Sequence, residues 1–140
     1  MRREYQISLP EELNSIAKEL LHLWYTTFLL QGDLGVGKTQ FVKSLISELG
    51  ANPHQVQSPT YTYMNSYFTE HGSVVHMDLY RLEEKQHAFS KGIFEEISNH
   101  EYVCIERPKR EEEYTDVTTV RLEFSFLPDE RRRIIISDLS

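Results

Sequence analysis

The stretch that most constrains this chain is Gly32-Asp33-Leu34-Gly35-Val36-Gly37-Lys38-Thr39, a complete match to the phosphate-binding pattern G-x-x-x-x-G-K-[ST]. Such a loop works only where a buried strand feeds it and a helix begins directly after it, so it dictates local architecture. Glycines at Gly32, Gly35 and Gly37 permit backbone angles that a side chain forbids, and successive N–H groups can then turn inward around an anion. Lys38 can carry a point charge to the β- and γ-phosphates, and Thr39 offers a hydroxyl to magnesium. The helix opening there adds free N–H groups and a positive dipole end. A plain flexible turn is the competing reading.

The flanks favour the phosphate loop. Thr26-Thr27-Phe28-Leu29-Leu30 is β-branched, aromatic and aliphatic, as a central strand requires. Beyond the loop, Phe41, Val42, Leu45, Ile46 and Leu49 recur at helical spacing, and Gly50 supplies a stop. These residues predict a binder of ATP or GTP.

With 140 residues, the chain is expected to form a single domain over 1–140 that buries about two-thirds of its unfolded surface without staples. Its single cysteine, Cys104, cannot form an internal bridge, and the apolar run around it predicts an inert buried thiol. The sequence shows neither a signal peptide nor a long apolar span, and a cytoplasmic location is the expectation. The net charge of −7, from 22 acidic and 15 basic residues, argues against a broad surface of phosphate contacts. Any involvement with nucleic acid is therefore expected to be indirect. The short clusters Arg107-Pro108-Lys109-Arg110 and Arg131-Arg132-Arg133 read as solvated surface or as contacts for an acidic partner.

Along the chain, Arg3 to Leu9 predicts a first strand, and Ser8 with Glu11 resembles a capping box opening a helix with Pro10 in its first turn. Leu13, Ile16, Ala17, Leu20 and Leu21 form one apolar stripe. Glu11, at the helix entrance, is a candidate contact for a nucleotide base, against the plainer reading of a core helix. Ser58 and Thr60 flank Pro59 in a loop that either covers a γ-phosphate or simply leads into a strand. Tyr61 to Phe68 and Ser73 to Leu79 predict a hairpin, placing one antiparallel pair in an otherwise parallel sheet. Alternation puts His76 and Asp78 on one face of the second hairpin strand, either hydrogen-bonded at a sheet edge or holding magnesium or water.

Residues 83–99 predict two short helices interrupted by Gly92. Tyr102-Val103-Cys104-Ile105-Glu106 is an apolar strand ending in an acid, the general pattern of a Walker B strand. Glu111 to Asp116 reads as a solvated connector, and Val117 to Leu127 with Arg132 to Ile136 as two closing strands. No internal arginine finger is evident, so activity is expected to be weak alone and dependent on a partner.

With Gly32 to Thr39, Ser58-Pro59-Thr60-Tyr61, His76-Met77-Asp78-Leu79-Tyr80-Arg81 and Ile105-Glu106 in order, the chain resembles the TsaE (YjeE) family over roughly residues 8–110. The resemblance implies an α/β P-loop NTPase-like three-layer fold with a mixed, mostly parallel central sheet. It also implies an ATP hydrolase that uses Mg2+ and supports the TsaD–TsaB complex in tRNA threonylcarbamoyladenosine biosynthesis, with tRNA touched only indirectly and no membrane role. By motif match, Gly32, Asp33, Leu34, Gly35, Val36, Gly37 and Lys38 bind phosphates, and Thr39 and Glu106 hold the metal. Asp78 and Glu106 serve catalysis with Lys38, and either carboxylate is open to activating water. Ser58 and Thr60 form a nucleotide-sensing segment, while His76, Tyr80 and Arg81 shape the site or a partner surface. ATP rather than GTP follows from the resemblance alone.

Two positions depart from the family pattern. A tryptophan usually follows the metal-binding glutamate, and often an acid stands two residues beyond it; here these are Arg107 and Lys109. The competing functions are a nucleotide-dependent switch with little hydrolysis and a small P-loop kinase. The kinase would need an acceptor pocket and an arginine-bearing lid, neither of which is evident in the sequence.

Overall fold

The computed structural model describes residues 1–59, 63–79, 90–108 and 110–139. Its elements run β1 (Arg2–Ile7), α1 (Leu13–His22), β2 (Thr27–Gln31), α2 (Lys38–Glu48), β3 (Met64–Thr69), β4 (Gly72–Asp78), α3 (Ser90–Ser98), β5 (Tyr102–Glu106), β6 (Thr119–Phe126) and β7 (Arg132–Asp138). All ten correspond to segments whose apolar patterning predicts them, with boundaries shifted by a few residues.

The strands form a seven-stranded sheet in the order β1-β7-β6-β2-β5-β4-β3. The four neighbours β6, β2, β5 and β4 are parallel. With β1, they make five of the seven strands pointing one way, so the sheet is mixed and mostly parallel. The hairpin of β3 and β4 is antiparallel as expected, but β1–β7 and β7–β6 add antiparallel pairing at the opposite edge. The expectation of an otherwise parallel sheet is corrected accordingly: a short connection from β6 to β7 can make a hairpin but not a parallel crossover.

Both faces of the sheet are covered. Phe28, Leu30, Cys104, Val120 and Leu122 pack with α1 and α2, whereas Leu29, Val75, Met77, Val103 and Ile105 pack with Ile93 of α3. Successive residues of β2 therefore alternate between two cores, and the strand carries continuous apolar sequence because neither face meets water. Helices on both sides of a sheet give the three-layer α/β architecture.

Local details correct several sequence expectations. The acid that caps the turn at Pro10–Glu12 is Glu12, whose Oε2 accepts the backbone N–H groups of Ser8 at 2.6 Å and Leu9 at 2.7 Å. A 3-10 turn precedes the α-helix, and this moves the reciprocal position one residue beyond Glu11. α3 runs through Gly92 without a break. Ile93 and Ile97, one helical turn apart, pack beneath the sheet, and their burial outweighs the glycine cost of about 1 kcal/mol. Residues 83–89 of the predicted helical stretch lie outside the described residues, as do the first residues of the predicted strand from Tyr61.

The charged connector is also more than solvated chain. Glu111 accepts hydrogen bonds from Gln31 Nε2 at 2.6 Å and Arg121 Nε at 2.8 Å, tying it to the ends of β2 and β6. The nearby Asp116 carboxyl lies below the usual range, first through a hydrogen bond from Thr118. Cys104 is fully buried, and desolvation pushes its thiol far above the ordinary range, as an inert core thiol requires.

Phe28 on β2 and Phe41 on α2 are both fully buried, with tilted rings 5.6 Å apart, and they join the strand before the glycine-rich loop to the helix after it. Phe28→Ala should therefore cost about 3–5 kcal/mol of unfolding free energy in chemical denaturation.

Candidate functional site

The glycine-rich loop leaves β2 at the carboxyl end of the sheet. Gly32 adopts φ +143°, and a Cβ built there would stand 2.7 Å from the Phe124 carbonyl oxygen and 2.8 Å from Val36 Cγ1. No other residue fits without displacing backbone. Within the loop, Val36 N–H donates to the Asp33 carbonyl at 3.2 Å. Gly37 caps α2 at φ +130°, and Phe41 N–H donates back to its carbonyl at 2.9 Å. The next N–H groups stand at the helix start, where an anion is favoured.

Parallel register brings the acids to this end. Glu106 is paired with Leu30 of β2 on one side and with Asp78 of β4 on the other. Thus Gly32, Asp78 and Glu106 gather outside the carboxyl ends of adjacent parallel strands, where ligands bind in open α/β sheets.

The charged side chains are almost fully enclosed. Lys38, His76, Asp78 and Glu106 are all buried, and His76 has no exposed surface. Lys38 Nζ donates to the Gly32 carbonyl at 2.6 Å and stands 3.3 Å from Glu106 Oε1. His76 Nε2–H donates to Glu106 Oε2 at 2.6 Å. Burial opposes ionisation of Glu106, but the hydrogen bond and charge of His76, together with Lys38, outweigh it and hold the carboxyl below the usual range. Arg107 Nη2 donates to Asp78 Oδ2, so the neighbouring carboxylate has a cation too.

A cavity of about 170 Å³ opens over the loop and is lined by Gly37, Lys38, Thr39, Ser58 and Glu106, among others. Around it, the Thr39 hydroxyl, the Ser58 hydroxyl and the Glu106 carboxylate supply oxygen only, the donor type that suits magnesium. No group of three or more His, Cys, Asp or Glu side chains forms a metal cage among the described residues. A second cavity, of about 310 Å³, shares Gly35, Gly37 and Gln40 with the first and extends toward Leu9, Pro10, Phe124 and Arg132.

The structure thus brings together the loop, Thr39, Ser58, His76, Asp78 and Glu106. Asp33 and Leu34 lie at the outer tip of the loop, with Leu34 80% exposed. Glu11 is exposed and lines a separate concavity with Asn14 and Lys43, which meets the cavity over the glycine-rich loop only through Gln40. Thr60, Tyr80, Arg81 and Lys109 lie outside the described residues. Sequence reading missed the lining role of Leu9, Pro10, Phe124 and Arg132. Nothing local distinguishes them, because they arrive from β6, β7 and the turn before α1. Their signal is tertiary.

The family model described as "Threonylcarbamoyl adenosine biosynthesis protein TsaE" matches residues 7–134. A curated relative from Aquifex aeolicus, named tRNA threonylcarbamoyladenosine biosynthesis protein TsaE, is 39% identical over 85 residues, covering 59% of this chain and 64% of the relative. A Bacillus subtilis protein of the same name is 32% identical over 129 residues, covering 91% of this chain and 72% of the relative. The aligned stretch spans 49% of a Rickettsia bellii relative, so several curated relatives are matched over only about half to two-thirds of their length. The solved structure of Bacillus subtilis YdiB has the same fold, with a TM-score of 0.68 at 23% identity, covering 100% of this chain and 87% of that one.

Because a Cβ at Gly32 would meet the Phe124 backbone at 2.7 Å, Gly32→Ala should lower unfolding free energy by about 1–3 kcal/mol in denaturant titration. Gly35→Ala lacks that collision, although its φ of +79° also disfavours a side chain, and should cost less.

Proposed function

The chain belongs to the TsaE family, and from that premise we propose that it is an ATP hydrolase using Mg2+ to support the TsaD–TsaB threonylcarbamoyl transferase that modifies the adenosine beside the tRNA anticodon. The observation that carries this reading is the shared cavity of Lys38, Thr39 and Glu106 at the start of α2. Residues 1–140 would act as one P-loop ATPase domain. Among the described residues, no helix is long and apolar enough to cross a membrane, and a cytoplasmic site of action is part of the proposal.

On this reading, backbone N–H groups from Gly32 to Lys38 bind the phosphates, and Lys38 turns its ammonium from the Gly32 carbonyl and Glu106 toward the β- and γ-phosphates. Thr39 and Glu106 would hold Mg2+, which would supply positive charge against phosphate oxygens. His76 fixes the Glu106 carboxylate in orientation through its 2.6 Å hydrogen bond. Asp78 orients or deprotonates the attacking water, Ser58 covers the γ-phosphate side, and the base enters the cavity between Leu9, Pro10 and Phe124. Lys38 is the one cation among the described residues lining the phosphate cavity, which favours weak hydrolysis alone and stimulation by a partner. The acidic balance of −7 favours protein partners, with tRNA contacted only indirectly.

A nucleotide-dependent switch is the second reading, and one linkage favours it. Tyr63 N–H donates to the Pro59 carbonyl at 2.7 Å, while its own carbonyl accepts Asp78 N–H at 2.8 Å. The loop carrying Ser58 is therefore coupled to the carboxylate strand, and a phosphate held by one would be sensed by the other.

Magnesium-dependent ATP hydrolysis should be slow for the purified chain and rise when the TsaD–TsaB complex is added. Glu106→Ala should reduce the stimulated rate by about a hundredfold or more. Equal and negligible hydrolysis with and without the complex, despite tight ATP binding, would favour the switch.

A further inference from the structure

We propose that the cavity between the start of α1 and the polar side of α2 is a binding site for a small zwitterion, a molecule carrying both an ammonium and a carboxylate, separate from the site over the glycine-rich loop. The inference stands on this cavity's own residues and does not depend on the reading of the nucleotide site.

α2 carries two stripes. Phe41, Val42, Leu45 and Ile46 belong to the core, whereas Gln40, Lys43, Ser44 and Ser47 recur at i, i+3, i+4 and i+7 along one polar side. A polar stripe ordinarily faces water. This one is partly enclosed: Ser44 is 1% exposed and Lys43 is half-buried. Glu11 and Asn14 from the start of α1, with Pro53 and His54 from the turn after α2, line the other walls of a cavity of about 230 Å³. Gln40 is the one residue it shares with either cavity beside the glycine-rich loop.

The lining is polar but not paired internally. Among the described residues, the side chains of Glu11, Asn14, Gln40, Lys43, Ser44 and Ser47 make no hydrogen bond or ion pair. A buried hydroxyl without a partner is costly, and native structures seldom keep one without a reason. One water would satisfy Ser44, but a water's share of volume is only about 30 Å³, so the cavity has room for a larger molecule. Charge narrows its class. Glu11 and Lys43 face the same space with opposite signs and do not neutralise each other. A lone anion would be repelled by the first and a lone cation by the second, whereas a ligand with both signs satisfies each. Its ammonium donates to Glu11, its carboxylate accepts from Lys43, and a hydroxyl between them reaches Ser44 at the base.

The test is a titration of L-serine into the isotope-labelled full chain, followed by amide NMR shifts. Shifts at Glu11, Asn14, Lys43, Ser44 and His54 should saturate with a Kd of about 1 mM. Acetate and methylammonium, each with one charge, should bind at least about tenfold more weakly, and glycine, which lacks the hydroxyl, about threefold more weakly. Glu11→Gln and Lys43→Gln should each weaken L-serine binding about tenfold. Ser44→Ala should erase the preference for L-serine over glycine, yet leave the denaturation midpoint unchanged or raised, because it removes an unpartnered hydroxyl. Saturation with Mg2+ and a non-hydrolysable ATP analogue should alter the L-serine Kd by less than about threefold. Failure of any of these shifts to saturate would overturn the inference, as would acetate binding as tightly as L-serine. Displacement of L-serine by the nucleotide analogue would place the cavity within the nucleotide site and overturn it too. The same spectra show whether each variant is folded, and Glu11→Ala or Lys43→Met replaces any that is not, with the same expected outcomes.

Discussion

The buried pairing of Lys38 with Glu106 is the constraint on which the rest of this site depends. Taking an ammonium and a carboxylate out of water costs several kcal/mol per ion unless each is met by good partners. Here Lys38 also has the Gly32 carbonyl, and Glu106 has His76. The lysine comes from the start of α2 and the glutamate from the end of β5, so their meeting closes the glycine-rich loop onto the sheet. It also holds the ammonium on the side of the cavity that contains Thr39, within the same small space where phosphate charge would be accommodated. A pair satisfied this way adds little net stability. Its consequence is a preset direction for the charge.

That meeting is possible only because the register of three strands is fixed. Leu30, Glu106 and Asp78 stand abreast, and a slip of one residue in β5 would send Glu106 to the α3 face and Ile105 to the cavity. The slip is resisted by the two apolar cores, since Val103 and Ile105 belong to one and Cys104 to the other. Core packing thus acts at a distance from the chemistry. It places the acid of Glu106 at the cavity over the glycine-rich loop.

What could be read from the residues was whatever they express locally. The strand, glycine-rich loop and helix around Gly32 to Thr39 are contiguous, and so are the alternation at His76 and Asp78 and the acid ending β5. The fold class was what the family resemblance carried by these motifs implied, and the sheet bears it out. The pairing of Arg107 with Asp78 was not legible, since sequence suggests only a cation after a strand, and the left-handed turn at Arg107 is a tertiary outcome. Glu12 displaced Glu11 as the capping acid because a single 3-10 turn shifts the helix phase. Gly92 was read as a break because propensity is local, whereas the burial of Ile93 and Ile97 that overrides it is not. The cavity beside the loop is similarly assembled from β6, β7 and the turn before α1.

The path from Pro59 through Tyr63 to Asp78 gives these pieces a common mechanical element. Tyr63 has a φ of +66°, a conformation that costs a non-glycine residue about 1–2 kcal/mol, yet its N–H and carbonyl are both used in short hydrogen bonds. Strain held by two bonds at a junction is released when either bond is lost. A displacement of the Ser58–Pro59 segment toward the cavity over the glycine-rich loop would pull on the first bond, and the second passes that pull to the backbone of Asp78. Arg107 opposes the movement from the other side by gripping the Asp78 carboxylate. Asp78 is therefore held between a loop that faces the cavity and a cation that faces solvent. Its position reports the balance between them.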